Sequence, residues 1–408
     1  MRTLIKVAWR NIWRNPARSS LIVAAITVGL IAGNFISAAS VGWVNQSFED
    51  TIERRISHIQ LHTPGFIEEG EARHRIEGGL TIVQELQEHP AVLATAGRTV
   101  LDGMAASPHF SAGVKINGIN REWEMNVTGL HEKIENGSFF TEEGRLPSVV
   151  IGETLAGKLR ADVGSRIVLT FQDVEGEMIS ASFRIEGIFT SSSTVYEERI
   201  VFVQTQDINE LIGDTDAVTE IAVLLYDHDA YKHITEELRQ TYPELTIRNW
   251  EDLAPELALQ LGMTEQALLW IIAIILFAVG FGLLNTILMS VLERTRELGM
   301  LMAIGMKKMN VFGMVMLETI MLSMTGGILG LILSFGLVRY LHTIGIDLSA
   351  VGGENLREFG YSPVVYPDLE MMFYFKVAML VVVFAILAAL YPAVKAVKLV
   401  PAEAVRQE

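Results

Sequence analysis

The chain has 408 residues, half of them hydrophobic, with 48 acidic and 32 basic residues and a formal net charge of −16. A positive mean hydropathy together with that acidity excludes a simple soluble domain and describes apolar spans joined to an acidic, water-exposed part. The absence of cysteine excludes disulfides, thiol catalysis and cysteine-based metal sites.

In chain order, residues 1–18 read as an amphipathic helix. Arg2, Lys6, Arg10, Arg14 and Arg18 recur every fourth position opposite Ile5, Trp9, Ile12 and Trp13, a pattern suited to a helix lying among lipid headgroups. Pro16 breaks this helix before a first span over 19–45. Its apolar run is too long for a signal-peptide core and no small-residue cleavage site is evident, so it reads as an uncleaved span.

Residues 46–263 form a water-exposed α/β domain with helical stalks. Phe48, Ile52 and Ile56 keep helical spacing, and from His58 the period changes to two. Strands are expected near Ile59–His62, Val92–Met104, Ser111–Gly118, Arg166–Gln172, Ile179–Phe189, Ile200–Val203, Glu220–Leu225 and Leu245–Arg248. Helices are expected near Thr81–Gln87, Gly152–Leu159, Gln206–Gly213 and Asp229–Tyr242. This order suggests two subdomains, one strand-rich over about 105–190, with a second stalk over Asn249–Met263. Further spans follow at 264–292, 311–341 and 375–394, each reaching or exceeding the roughly 20 residues that a bilayer needs. Between them lie a charged connector at 293–310 and an external loop at 342–374, with a tail at 395–408. The fold class is therefore a four-helix membrane protein with a large mixed α/β domain inserted between its first two spans.

Lys and Arg set the orientation. The basic N-terminus, the connector (Arg294, Arg296, Lys307, Lys308) and the tail (Lys395, Lys398, Arg406) are cytoplasmic by the positive-inside rule. The domain at 46–263 carries 37 acidic against 17 basic residues. It is external, and its acidity argues against nucleic acid or anionic lipid as its ligand.

Three segments only imitate chemistry. Gly152-Glu-Thr-Leu-Ala-Gly-Lys-Leu159 lacks the Ser or Thr that a phosphate-binding loop places after its lysine. Ser191–Thr194 has no histidine nearby in sequence and reads as a polar hinge. His58 and His62 follow a strand pattern rather than a metal-ligand spacing. No catalytic constellation and no metal site are expected.

The connector Glu293-Arg-Thr-Arg-Glu-Leu-Gly-Met-Leu-Met-Ala-Ile-Gly305 resembles the cytoplasmic loop of the FtsX-like permeases, also called type VII ABC transporter membrane subunits. Glu293, Arg294, Arg296, Glu297, Gly299, Leu301, Ala303 and Gly305 occupy that family's fixed positions. Ala8–Asn15 is similar to its N-terminal elbow. Tyr391–Arg406 is similar to its terminal motif, with Val405 in place of the usual Leu. The length, the single large ectodomain and the lack of a fused ATPase look most like the Lol-type lipoprotein-releasing permeases, and Ile56–Phe66 resembles theirs.

The resemblance implies a bacterial inner-membrane permease that is not itself an enzyme. It would work as a dimer with an identical or paralogous second permease and with two copies of an ABC ATPase that binds the ATP and Mg. The cargo would be a lipoprotein or similar amphiphile, passed to a periplasmic carrier or adaptor. MacB-like efflux of peptides or small toxins, and mechanical activation of an envelope hydrolase without transport, are the alternatives. The connector residues above would dock in the ATPase, helped by Met300, Met302 and Met306. Phe35, Ile36, Val41, Trp43, Phe48, Leu261, Leu268, Leu269 and Ile272 are expected either to line a cargo cavity or to be plain lipid-facing surface.

Glu318 lies about 10 Å into the third span, where pairing with a connector arginine, snorkelling or a proton relay are open. Gly326, Gly327, Gly330 and Ser334 mark a close helix contact. Asn34 and Asn285 could bond across helices.

Overall fold

The computed structural model describes residues 8–10, 12–14, 16–141, 146–351, 353–358 and 361–398. Residues 1–7, 11 and 15 of the expected N-terminal helix and the tail motif from residue 399 onward lie outside them. Two compact units emerge: a helical one of Met1–Val44, Leu261–Ile346 and Val365–Glu408, and an α/β one of Asn45–Gln260 and Asp347–Val364.

Helix α1 (Pro16–Phe48) leads through a π-helical turn segment, Glu49–Ile56, into β1 (Ile59–His62) and α2 (Gly79–Gln87). There follow β2 (Val92–Ala106), β3 (Ser111–Ile119), α3 (Arg121–Val127), β4 (Ile134–Gly137), β5 (Ser148–Gly152) and α4 (Glu153–Leu159). Next are β6 (Arg166–Gln172), β7 (Met178–Phe189), α5 (Thr194–Arg199), β8 (Ile200–Gln204), α6 (Thr205–Ile212), β9 (Glu220–Leu225), α7 (Tyr231–Thr241) and β10 (Thr246–Asn249). The chain ends with α8 (Trp250–Leu253), α9 (Pro255–Glu293), α10 (Thr295–Ala303), α11 (Lys308–Ile344), α12 (Gly353–Glu358) and α13 (Met371–Val397). α1, α9, α11 and α13 are long and apolar enough to cross a membrane.

The strand-rich stretch expected near 105–190 and the strands around it are linked in one ten-stranded sheet. Strands β2, β3, β8, β5, β7 and β6 pair in that order and β6 pairs back to β2, closing a six-stranded barrel. β2 also belongs to the flanking sheet. Its first half pairs with β9, whose other edge carries β1 and then β10. At Gly103 the edge passes to β6, and a Cβ there would lie 2.7 Å from the Thr170 carbonyl oxygen, so the close approach needs glycine. Inside the barrel Ile116, Val149, Ile151, Leu169, Phe183 and Val201 are fully buried with Leu155 and Leu159 of α4. The lysine-bearing segment 152–159 is thus a packing helix.

The second stalk also differs from expectation. Asn249 and Asp252 form a capping box that starts α8, and the chain breaks at Ala254. A residue before proline is pushed out of the helical region, and Pro255 then opens α9 at a position where a missing amide costs nothing.

Candidate functional site

The connector helix α10 has two faces. Leu298 is 2 % exposed and packs with Ile12, Val291, Val311 and Met314 in the core of the helical unit. Gly299 is buried, and Leu301 is half-buried against the same core. Gly305, at φ +100°, ends the segment in a conformation that favours glycine. The opposite face leaves Glu293, Arg296, Met300 and Ala303 exposed, with Ile304 84 % exposed beyond it.

Two of the expected docking charges, Arg294 and Glu297, are ion-paired within their own unit. Glu297 accepts from Arg14 and from Arg294 Nε at 3.3 Å, while Arg294 Nη1 lies 3.2 Å from Glu318 Oε2. The Arg14 hydrogen bond, aided by Arg294, holds the Glu297 carboxyl below its ordinary value. Arg14, Glu297, Arg294 and Glu318 therefore form a chain of alternating charge from the residues before α1, through α10, into α11. Beside it lies a cavity of about 30 Å³ lined by Ser19, Ser290, Arg294, Glu318 and Thr319 among apolar neighbours, room for one water.

Deeper in the same unit, Asn34 Nδ2 donates to Ser334 Oγ at 2.9 Å and Thr27 Oγ1 to the Gly326 carbonyl at 3.2 Å. A Cβ on Gly330 would lie 2.7 Å from Leu30 Cδ1, so α1 and α11 meet closely along these small residues. Gly327, with nothing within 4 Å of a built Cβ, is not part of that contact. Asn285 is exposed on α9 and bonds to no helix among the described residues.

Of the apolar residues expected to line a cargo cavity or face lipid, eight lie in the helical unit and Phe48 in the α/β unit. Phe35, Val41, Trp43, Leu261 and Leu268 are half-buried, and Ile36 and Leu269 are exposed. Ile272 packs against the bundle core. Phe48 belongs to the α/β unit, its ring centroid 5.1 Å from Trp250 and 5.9 Å from His228. Apolar character alone could not show which apolar neighbours each residue would find.

Three features of the α/β unit escaped the sequence reading. Arg98, in the mostly apolar strand β2, is buried and ion-paired at 2.8 Å to both Glu124 and Glu220. As the lone basic residue of that strand it was the available signal. A groove of about 1870 Å³ is lined by Arg121, Arg166, Arg184 and Glu186 among others. Arg166 and Arg184 face each other across β6 and β7, where like charges repel. The segment from Asp347 to Val364 joins this unit: Gln46 Nε2 donates to the Val364 carbonyl at 3.0 Å, Tyr361 to Gln260 Oε1 at 3.1 Å and Thr194 to the Arg357 carbonyl at 3.3 Å. His62 binds Gln60 and the Thr219 carbonyl, and no metal cluster occurs among the described residues.

Residues 19–241 match the MacB-like periplasmic core domain, and residues 269–401 match the FtsX-like permease C-terminal domain. The chain is 25% identical over 425 residues to the macrolide export ATP-binding/permease protein MacB of Bdellovibrio bacteriovorus, covering 97% of this chain and 60% of that one. It is 22% identical over 406 residues to the lipoprotein-releasing system transmembrane protein LolC of Xylella fastidiosa, covering 95% and 94%. The periplasmic region of MacB from Actinobacillus actinomycetemcomitans matches 49% of this chain and 92% of that chain at 16% identity, with a TM-score of 0.33. The chain spans only about half the length of the MacB relatives that it matches.

Proposed function

The chain belongs to the MacB/Lol-type family of FtsX-like ABC transporter permeases, and from that premise we propose that it is the membrane subunit of a transporter that draws lipoproteins or similar amphiphiles from the inner membrane toward the outer membrane. ATP is hydrolysed by two copies of a separate ABC ATPase, and a second permease, identical or paralogous, completes the assembly. In this reading both termini and α10 are cytoplasmic and the α/β unit is periplasmic.

The observation that carries the proposal is the two-faced connector. Its outer face, Arg296, Met300, Ala303 and Ile304, offers an ATPase a mixed polar and apolar contact. Its inner face is tied by Leu298 and by the Arg14–Glu297–Arg294–Glu318 chain to the spans. A push on α10 then displaces α11 and the start of α1 as one body, and α1 and α9 carry the motion to the α/β unit. Glu318 fits this as a structural anchor for Arg294 rather than a proton relay, since an intramembrane acid is costly unless paired. Acyl chains would lie along Phe35, Ile36, Val41 and Trp43 of α1 and Leu261, Leu268, Leu269 and Ile272 of α9. The protein part of the cargo, or a periplasmic carrier or adaptor, would meet the α/β unit at its groove.

Relatives named for macrolide export support a second reading, efflux of peptides or small toxins through an adaptor. Purification with the partner ATPase in nanodiscs, followed by mass spectrometry, separates the two. Acylated lipoproteins that leave on addition of ATP are the expected result. If none co-purify while ATPase activity rises with an added adaptor, extraction is wrong and efflux replaces it.

A further inference from the structure

Where α1 enters the α/β unit its winding changes. Glu49–Ile56 is eight residues of π-helix, a form seen mostly as single-turn bulges and often at functional positions. The Ser57 amide closes the segment on the Ile52 carbonyl at 2.5 Å. Ser57 itself has φ 72° and ψ 170°, a region essentially reserved for glycine. It is fully buried, and its hydroxyl has no partner among the described residues.

The joint is clamped within and at its exit. Within it, Ile52 is fully buried, and the Arg55 guanidinium lies 4.6 Å over the Tyr196 ring and donates to Ser192 Oγ at 2.7 Å. After it, the His58 amide donates to the Val223 carbonyl at 3.1 Å and the Trp250 amide to the His58 carbonyl at 3.0 Å. Strain of this kind persists only where the surroundings over-determine it.

We propose that residues 49–57 are a strained two-state joint. The π-helical segment rewinds as α-helix when α1 is pulled or turned, freeing Ser57 from its strained conformation and Arg55 from Ser192. The α-helix closes its bonds over four residues instead of five, so rewinding lengthens the segment and changes its phase. Packed elements switch between discrete arrangements instead of bending smoothly, so motion of α1 reaches β1 as a step. This rests on the transport reading above and names the element that would convert it into movement of the sheet.

The chain has no cysteine, so Asn45→Cys and Glu244→Cys, both at exposed positions, can carry an unambiguous pair of spin labels. The full chain with its ATPase in nanodiscs is compared without nucleotide and with nucleotide trapped. Two distance populations are expected, the second dominant in the trapped state. Ser57→Gly removes the strain from the resting form and should deplete the second population about 5- to 150-fold. Ser57→Ala keeps the Cβ, loses only the hydroxyl and should behave like the unsubstituted chain. A single population unchanged by nucleotide overturns the joint, and so does Ser57→Ala acting as Ser57→Gly does. Failure to release cargo while the distance still switches counts against the transport reading alone.

Discussion

The centre of the α/β unit depends on one guanidinium. Burial works against the charge of Arg98, yet Glu124 and then Glu220 more than offset it and hold its pKa above the ordinary value. Arg98→Ala strands two carboxylates in the interior and should cost about 3–5 kcal/mol of unit stability, read by denaturant unfolding. A loss below about 1 kcal/mol would mean that the pair is solvated and the assignment wrong. His58 makes the same unit sensitive to acid. Its Nδ1 accepts the Leu225 amide at 2.9 Å and so must stay unprotonated, and burial, with His228 nearby, pushes its pKa down to about 4. The unfolded chain takes up this proton first, so the contribution is fully present above about pH 6.5 and is lost as pH falls toward 4. Burial also depresses His62, with the same sign. The unfolding midpoint should fall between pH 7 and pH 4.5, and less steeply in His58→Asn, whose amide oxygen can keep the Leu225 bond. Parallel pH profiles for the two proteins would remove His58 from the account.

Among the elements, α10 separates contact from support. Ile304→Asp changes a side chain that touches little of its own unit, so ATP-driven turnover should drop about tenfold or more while the melting temperature of the helical unit stays put. An equal loss of stability would show that Ile304 supports the bundle. Gly330→Val tests the opposite case, because a Cβ there already meets Leu30. Overpacking should cost about 1–3 kcal/mol, and a neutral result would deny the close contact of α1 with α11. How much of this could be read in advance follows from the range of each interaction. Ile59–His62, Arg166–Gln172 and Glu220–Leu225 were expected with the bounds observed, because a change of period and flanking turn residues are local signals. β4, β5, α3 and α5 were missed, being four to seven residues long and capped by side chains such as Asn120 and Ser193, whose role is visible only once the helix exists. Pairing of Glu318 with a connector arginine was foreseeable from its depth. The turn of Glu297 toward Arg14 was not, because those residues are 283 positions apart.

At the scale of the whole chain, the barrel could not be foreseen for the same reason. Closure depends on which edge of β2 receives β9 and which stretch of that edge receives β6, a matter of register over more than a hundred residues. A related non-local dependence makes the α/β unit incomplete as a fragment. Residues 45–260 alone lack Asp347–Val364, which the chain supplies only after two more long helices. That segment brings three hydrogen bonds, from Gln46 to Val364, Tyr361 to Gln260 and Thr194 to Arg357, each worth about 0.5–1.5 kcal/mol net. Part of that gain offsets the ordering of the loop itself. The fragment 45–260 should therefore fold, since the barrel and its core are intact, but with about 1–3 kcal/mol less stability than the same fragment carrying 347–364 on a flexible linker. Chemical denaturation of the two proteins measures the difference. Equal midpoints would show that the segment merely rests on the unit. A lower midpoint without it would make the connection between α11 and α13 a structural part of the unit, so that force reaching those helices acts on the α/β unit at a third point besides α1 and α9.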